Sequence, residues 1–303
     1  MLNSIPVCFY PTRKIILDDD PFFTSTILLK MHNKNMVSYT SPTDALNYLL
    51  NEYKPALTAL DILQKSSLVA DSTSQYILNI NIEKLKTMIL KPCYQDISII
   101  FIDYHMPDIQ GIDFLKQIQH LPIKYVLVTG EKNYNIAIDA FNSGLVDAYI
   151  RKDDPSFIEK FQAITSELEW KYFIELSKTI INLPDFNFLM DANVFSSFKQ
   201  QIQHHSITEF YLTHIDGNFT MINSDNEKIH LLFRNKSQLK RLAEIAREDG
   251  GSIEIVNELL LGNIIPFFDS KEYWQIPAAD WKTFSYPTNQ VLYENNMVWA
   301  LAR

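Results

Sequence analysis

The chain contains few cysteines and few glycines. Its 303 residues include two cysteines, Cys8 and Cys93, and seven glycines. Two cysteines cannot build a disulfide framework, so we expect a reducing, cytoplasmic location. No Gly-rich phosphate-binding loop is found along the chain, which argues against the common nucleotide-binding motifs.

The sequence also lacks long apolar runs and an excess of positive charge. No run approaches the roughly 18 residues of a membrane span, and the first residues do not resemble a secretory signal, so we expect no membrane association. The net charge is −9, and acidic residues outnumber lysine plus arginine by 17 to 14 in residues 1–155 and by 19 to 13 in residues 156–303. This balance argues against DNA binding, because non-specific affinity for DNA depends on neutralising phosphates.

The first half of the chain shows a regular alternation of strand and helix patterns. Short apolar runs predict strands at residues 14–17, 36–39, 97–102, 124–128 and 146–150. Helical patterns between them predict a doubly wound, five-stranded parallel α/β sheet. Residues 53–96 interrupt the alternation with apolar patterns at 56–63 and 81–90, which we expect to form a helical insertion packed on the same domain, with a partner-docking surface as the less favoured alternative.

The second half begins with a long helical pattern and continues with antiparallel strands. Apolar residues at steps of three and four predict a helix over residues 156–182, and their heptad-like spacing indicates a dimer contact. Asp216-Gly217 predicts a hairpin inside a compact α+β domain. The resulting division is a first domain over residues 1–155 with an insertion at 53–96, a connecting helix and linker over 156–190, and a second domain over 191–303.

Charged and hydroxyl side chains follow the predicted parallel strands. Asp18 and Asp19 follow the first strand, Asp103 the third, Thr129 the fourth and Lys152 the fifth. Because the carboxyl ends of parallel strands meet at one edge of a sheet, these groups can share a crevice. Three crowded carboxylates repel one another unless a hard cation such as Mg²⁺ neutralises them. A hydroxyl and an ammonium nearby could hold a transferred phosphoryl group.

This set of residues resembles the receiver domain of two-component response regulators, the CheY-like family, over roughly residues 12–170. The family signature Asp-x-x-Met-Pro-x-x-x-Gly is complete from Asp103 to Gly111. The resemblance implies that a sensor histidine kinase or a phosphotransfer protein phosphorylates Asp103. It also implies that the second domain is the output domain of a response regulator.

The resemblance assigns roles around the phosphoacceptor Asp103. Asp18 and Asp19 match the acidic pair, which would bind Mg²⁺ together with Asp103 and the backbone carbonyl of His105. Lys152 matches the family's lysine, which would offset negative charge on the phosphoryl group.

Four further positions match residues that control switching and phosphoryl lifetime. Thr129 matches the switch hydroxyl, which is followed by the small residue Gly130, and Tyr149 matches the switch aromatic. His105 and Glu131 match the positions that tune phosphoryl lifetime in the family. Two exposed side chains without a role are an equally good interpretation of His105 and Glu131.

The chain departs from the family directly after Lys152. The family lysine is followed by a proline in a cis peptide bond, whereas Asp153 stands here. A cis bond to a non-proline residue costs about 3–4 kcal/mol, so we expect a trans bond or a rearranged loop. Asp153 and Asp154 also add negative charge, which could weaken phosphorylation or strengthen metal binding.

No familiar output motif follows residue 185. No helix pair there has a basic recognition helix, and the histidines match no metal-binding spacing. We expect no enzyme activity beyond the phosphoryl transfer and dephosphorylation of the receiver itself. The favoured output is protein–protein contact, including a homodimer through the receiver and helix 156–182. The alternatives are an unrecognised enzyme, a nucleic-acid-binding module, or a pseudo-receiver that acts as a phosphorylation-independent scaffold.

Overall fold

The chain folds into two compact units. The computed structural model describes residues 3–31, 35–68, 75–90, 94–130, 134–268, 275–290 and 297–302. The parallel-sheet unit consists of the described residues of 11–58 and 92–176. The antiparallel-sheet unit consists of the described residues of 1–10, 59–91 and 177–303.

Helices and strands alternate in the first half, and strands cluster in the second. The strands are β1 (Cys8–Phe9), β2 (Arg13–Leu17), β3 (Met36–Tyr39), β4 (Leu63–Leu68), β5 (Gln75–Ile80), β6 (Ile97–Asp103), β7 (Lys124–Thr129), β8 (Ala148–Arg151), β9 (Ile207–His214), β10 (Asn218–Asn223), β11 (Lys228–Arg234), β12 (Ile264–Pro266), β13 (Ser285–Pro287), β14 (Asn289–Gln290) and β15 (Val298–Ala302). The α-helices are α1 (Pro21–Met31), α2 (Pro42–Asn47), α3 (Ile82–Leu90), α4 (Gly111–Ile118), α5 (Tyr134–Asn142), α6 (Phe157–Ile181), α7 (Ala192–His204), α8 (Lys236–Glu248) and α9 (Ile253–Leu261). Further helical turns lie at Tyr48–Glu52, Pro184–Met190 and Ala278–Phe284.

The parallel-sheet unit is a doubly wound sheet with strand order β3-β2-β6-β7-β8. Successive residues of β6 face opposite sides, so Ile100 and Ile102 pack with α2, α4 and α5, while Ile99 and Phe101 pack with α6 and α1. Every residue of β6 is buried, as expected for a central parallel strand. The predicted five-stranded parallel sheet is confirmed.

The antiparallel-sheet unit contains a six-stranded sheet with the order β1-β9-β10-β11-β15-β14. The chain turns from β9 to β10 at Asp216-Gly217, where Gly217 has a φ of 100°. A side chain at this position would also press on the backbone carbonyl of Phe233. On α7, Phe198 packs edge-on against Phe210 and Phe219. The predicted hairpin and the α+β character of this half are confirmed.

The insertion differs from the prediction in both structure and packing. Residues 56–62 form neither helix nor strand, so the predicted helix at 56–63 is absent, and residues 63–68 form β4, which pairs with β5. The predicted helix at 81–90 is present as α3, which packs on β9 and groups with the antiparallel-sheet unit. A short apolar run has no periodicity that separates strand from helix, and its packing partner lies far away in sequence.

The unit boundaries also differ from the predicted domains. Residues before 11 group with the antiparallel-sheet unit because β1 pairs with β9, about 200 residues further along the chain. The first part of α6, up to residue 176, groups with the parallel-sheet unit. These assignments depend on long-range pairing, which composition and local pattern do not reveal.

Helix α6 matches the predicted helix 156–182 closely, but its apolar stripe packs into a core within the chain. Phe157, Phe161 and Leu168 are buried in the core of the parallel-sheet unit. Its Glu169 forms an ion pair with Lys14, whose side chain is 4% exposed. These three residues of the stripe are covered within the chain and are not available for a dimer contact, while the homodimer itself stays a prediction. No helix in the described ranges is long and apolar enough to cross a membrane.

Candidate phosphoryl-transfer site

Polar side chains meet at the carboxyl edge of the parallel sheet. Asp18 follows β2, Asp103 ends β6, Thr129 ends β7 and Lys152 follows β8. One carboxylate oxygen from each of Asp18, Asp19 and Asp103 lies within 4.8 Å of the others. The structure thus brings the three predicted carboxylates into one cluster.

Lys152 lies between the two buried carboxylates of this cluster. Its Nζ is 2.6 Å from Asp18 Oδ2 and 3.0 Å from Asp103 Oδ1. The side chain of Asp18 is 1% exposed and that of Asp103 is 7% exposed, while Lys152 reaches solvent with 22% of its side chain. The backbone N–H of Asp20 also donates to Asp18 Oδ1 at 3.0 Å, which orients this carboxylate.

Burial and ion pairing act in opposite directions on the pKa of each of these three groups. Burial raises the pKa of Asp18 and that of Asp103 above the ordinary value, and Lys152 offsets only part of this effect. Burial alone would lower the pKa of Lys152, but its hydrogen bonds to both carboxylates outweigh burial and raise it. Lys152 contributes one ammonium to a cluster of three carboxylates, so the cluster has a net negative charge when all three are ionised.

The loop after Asp103 is shaped by its methionine and glycine. Met106 is buried and anchors the loop to the core. The N–H of Gly111 donates to the Tyr104 carbonyl at 2.9 Å, and a Cβ at position 111 would collide with the backbone carbonyl of Asp103. The close approach of α4 to the end of β6 therefore requires glycine at this position.

A part of the chain that includes residues of this site matches a known protein family. Residues 70–160 match the family model of the response regulator receiver domain. The chain contains a response regulator receiver domain. Asp103, Thr129 and Lys152 lie inside the match. Asp18 and Asp19 lie before it, as do strands β2 and β3 of the parallel sheet.

Solved structures extend the similarity of fold beyond the receiver. The response regulator LqsR of Legionella pneumophila is 24% identical, and the alignment covers 99% of this chain and 89% of that chain with a TM-score of 0.80. The signal receiver domain of a putative Luxo repressor protein from Vibrio parahaemolyticus is 12% identical over 55% of this chain and 95% of that chain, with a TM-score of 0.36. No curated protein sequence matches the chain. The first of these likenesses shows that both halves share a fold with a response regulator.

The carboxylates of the receiver suit a hard divalent cation. Mg²⁺ takes oxygen ligands and retains water molecules, and Asp18, Asp19 and Asp103 supply three carboxylates within reach of one another. The negative charge left over beside Lys152 would also favour such an ion. His105 is exposed, and its ring meets that of Tyr104 edge to face at 4.4 Å between centroids. The donor set therefore fits the predicted cofactor.

The predicted switch residues lie on neighbouring strands of the receiver. Thr129 is buried at the end of β7, and its backbone carbonyl accepts a hydrogen bond from the N–H of Lys152 at 2.8 Å. Tyr149 on β8 is half-buried, with its ring edge-on to Phe141 at 6.4 Å between centroids. Glu131, assigned to phosphoryl lifetime, lies outside the described residues.

The loop after Lys152 lacks the proline of the family and contains an ion pair at that position. No peptide bond among the described residues is cis, which confirms the prediction of a trans bond at Lys152-Asp153. Arg151 Nε donates to Asp153 Oδ1 at 2.9 Å, and its Nη2 donates to Oδ2 at 2.5 Å. Asp154 accepts from the N–H of Ser156 at 2.9 Å, just before α6 begins. Both added carboxylates thus have partners of their own.

One neighbour of Lys152 was not predicted from the sequence. The ring of Phe23, on the first turn of α1, lies 4.6 Å from Lys152 Nζ, measured to the ring centroid. The only signal was the place of Phe23 one helical turn after Asp19. An apolar residue there is equally typical of a helix packed on a sheet.

Proposed function

We propose that the protein is a response regulator of a two-component phosphorelay, phosphorylated on Asp103. The observation that carries this proposal is the position of Lys152 Nζ, 3.0 Å from Asp103 Oδ1, inside a cluster of three carboxylates. A sensor histidine kinase or a phosphotransfer protein would supply the phosphoryl group as a phosphohistidine. The family match of the receiver supports this choice of donor.

Phosphoryl transfer requires little covalent chemistry from the protein. A carboxylate oxygen of Asp103 attacks phosphorus, a P–O bond forms, and the P–N bond breaks with its electron pair returning to the imidazole. Lys152 stands beside the acceptor, so its ammonium offsets charge on the phosphoryl oxygens. Asp18, Asp19, Asp103 and the His105 carbonyl would hold Mg²⁺, which when bound supplies further positive charge.

Phosphorylation would then bias the surface of the receiver. The hydroxyl of Thr129 would donate to a phosphoryl oxygen, and Tyr149 would move into the space that this leaves. Tyr149 is half-buried and packs at the edge of the core, so its ring is not enclosed on all sides. A new charge acts on such a two-state element by favouring one of its states.

We propose that the antiparallel-sheet unit signals by protein–protein contact. Two basic residues of α8 support this choice, because each pairs with an acid: Arg241 with Asp216 at 3.1 Å and Lys240 with Glu244 at 3.9 Å. A helix neutralised in this way is a poor DNA ligand. An electrophoretic shift of genomic DNA fragments at physiological salt would contradict this proposal and favour a nucleic-acid-binding output.

Mass spectrometry after incubation with acetyl phosphate tests the phosphorylation. We expect the wild type to gain one phosphoryl group in the presence of Mg²⁺, and to gain none after chelation with EDTA. The Asp103→Asn variant should gain none under either condition. If the wild type remains unmodified with both this donor and a partner kinase, the domain is a pseudo-receiver.

Light scattering on the same samples tests for a homodimer. Because the apolar stripe of α6 is buried, a dimer would have to use the receiver surface near Tyr149. A doubling of mass in the phosphorylated sample alone would support that contact, and an unchanged monomer mass would oppose it.

A further inference from the structure

The ammonium of Lys152 contacts an aromatic ring as well as two carboxylates. Its Nζ lies 4.6 Å from the centroid of the Phe23 ring, in addition to its contacts with Asp18 and Asp103. A cation within about 6 Å of a ring centroid is attracted by the negative face of the ring. Among the described residues, the ammonium therefore contacts two carboxylates and one uncharged group, the ring of Phe23.

Phe23 is itself held by a row of packed rings. Its ring meets Phe157, the first residue of α6, edge to face at 5.7 Å between centroids. Phe157 packs on Phe161 at 5.7 Å, and Phe161 stacks on Phe101 of β6 at 4.0 Å. Phe157, Phe161 and Phe101 are buried, so the row has little freedom to rearrange. Phe23 therefore offers Lys152 a ring in a defined position.

We propose that Phe23 is a positioning residue for phosphoryl transfer to Asp103. Its ring keeps the Lys152 ammonium beside the acceptor carboxylate and makes the solvent-directed positions of the side chain less populated. Such help matters here because a lysine carries its charge on a flexible stem. Lys152 is also 22% exposed, so water competes for its ammonium. The role rests on the proposed phosphorylation of Asp103.

Three variants test whether the effect of Phe23 depends on its aromatic ring or only on the volume of its side chain. Phe23→Leu removes the ring and keeps an apolar side chain, while Phe23→Tyr keeps an aromatic face. Phe22→Leu is the matched control, because Phe22 is the preceding residue of α1 and is 79% exposed. We expect the rate of phosphorylation by acetyl phosphate with Mg²⁺ to fall roughly five-fold in Phe23→Leu. Phe23→Tyr and Phe22→Leu should retain the wild-type rate.

A spectroscopic measurement detects the contact without phosphorylation. The ring current of Phe23 should move the ε-proton resonances of Lys152 upfield in the NMR spectrum, and Phe23→Leu should return them to the usual position. The Lys152→Gln variant, which lacks these protons, assigns the signal. If Phe23→Leu lowers the melting temperature, Phe23→Met, whose flexible side chain fills irregular gaps, takes its place.

The outcomes distinguish this inference from the proposed function. Wild-type phosphorylation with an unchanged rate in Phe23→Leu would overturn the positioning role alone, as would Lys152 resonances that do not depend on Phe23. A Phe23-dependent resonance in a wild type that accepts no phosphoryl group would overturn the proposed function, and the positioning role with it. A slower Phe23→Leu beside a normal Phe22→Leu would support both.

Discussion

Replacing Gly111 with alanine tests how the loop after Asp103 places the phosphoacceptor. A Cβ at position 111 would collide with the Asp103 carbonyl oxygen and lie 3.1 Å from Tyr104 Cα. Both neighbours are backbone atoms, so neither can rotate away. The N–H of Tyr104 also donates to the Val128 carbonyl at 2.9 Å, which ties the end of β6 to β7.

Two opposing effects set the change in unfolding free energy that Gly111→Ala should cause. In open surroundings, an alanine would stabilise the start of α4 by about 0.5–1 kcal/mol, because glycine has more conformational freedom to lose on folding. Overpacking costs about 1–3 kcal/mol, and here it acts on backbone held by the sheet, so we expect it to win. Subtracting the gain from the cost leaves a predicted net loss of unfolding free energy of about 1 kcal/mol. Because a displacement of about 1 Å can slow a reaction roughly 100-fold, phosphorylation of Asp103 should fall at least ten-fold.

Urea unfolding followed by circular dichroism measures the first effect, and mass spectrometry after acetyl phosphate treatment measures the second. Gly130→Ala is the matched control, because a Cβ there would make an ordinary contact with Lys152 Cδ at 3.8 Å. We expect this variant to keep wild-type stability and phosphorylation. A Gly111→Ala protein that behaves like Gly130→Ala would refute the steric reasoning.

Three further substitutions have defined outcomes. Lys14→Met leaves the Glu169 carboxylate without its cation in a largely buried site, and urea titration should show a loss of about 3 kcal/mol; an unchanged midpoint would contradict this. Asp153→Ala removes an exposed ion pair with Arg151, so the unfolding midpoint and the phosphorylation rate should both stay at wild-type values. Asp191→Ala removes the side chain that caps α7, and thermal unfolding should reveal a loss of about 1 kcal/mol; equal melting temperatures would argue against the cap.

Features built from neighbouring residues were predictable from the sequence. The order Ser41-Pro42 predicts the start of a helix, and the Ser41 side chain accepts from the N–H of Asp44 at the start of α2. The apolar run before Asp103 predicted a buried strand, which is present as β6. Both predictions succeed because capping and strand formation depend on residues a few positions apart.

The grouping of the receiver side chains also followed from the sequence, through one general rule. Each of Asp18, Asp103 and Lys152 stands at the end of a parallel strand, and parallel strands end at the same edge of a sheet. The sequence order alone therefore predicted the neighbourhood. The contacts themselves, such as Lys152 with both carboxylates, required the packed structure.

The insertion and the ends of the units show where prediction from sequence stops. Local patterns do not predict which segments pair with each other. Three such pairings are β4 with β5, α3 with β9, and β1 with β9. The apolar stripe of α6 is similar: its spacing suits a dimer and an internal core equally well.

The sequence by itself determined the parallel sheet, the carboxylates at its edge and the lysine that follows its last strand, because these depend on local patterns and strand direction. Only the tertiary structure decided which unit the insertion joins, that apolar residues in the first part of α6 are buried in the parallel-sheet unit, and that Phe23 lies against Lys152. The physical reason is that side-chain contacts between distant segments are selected by the packing of the whole core. That selection has no signature in any short stretch of the chain.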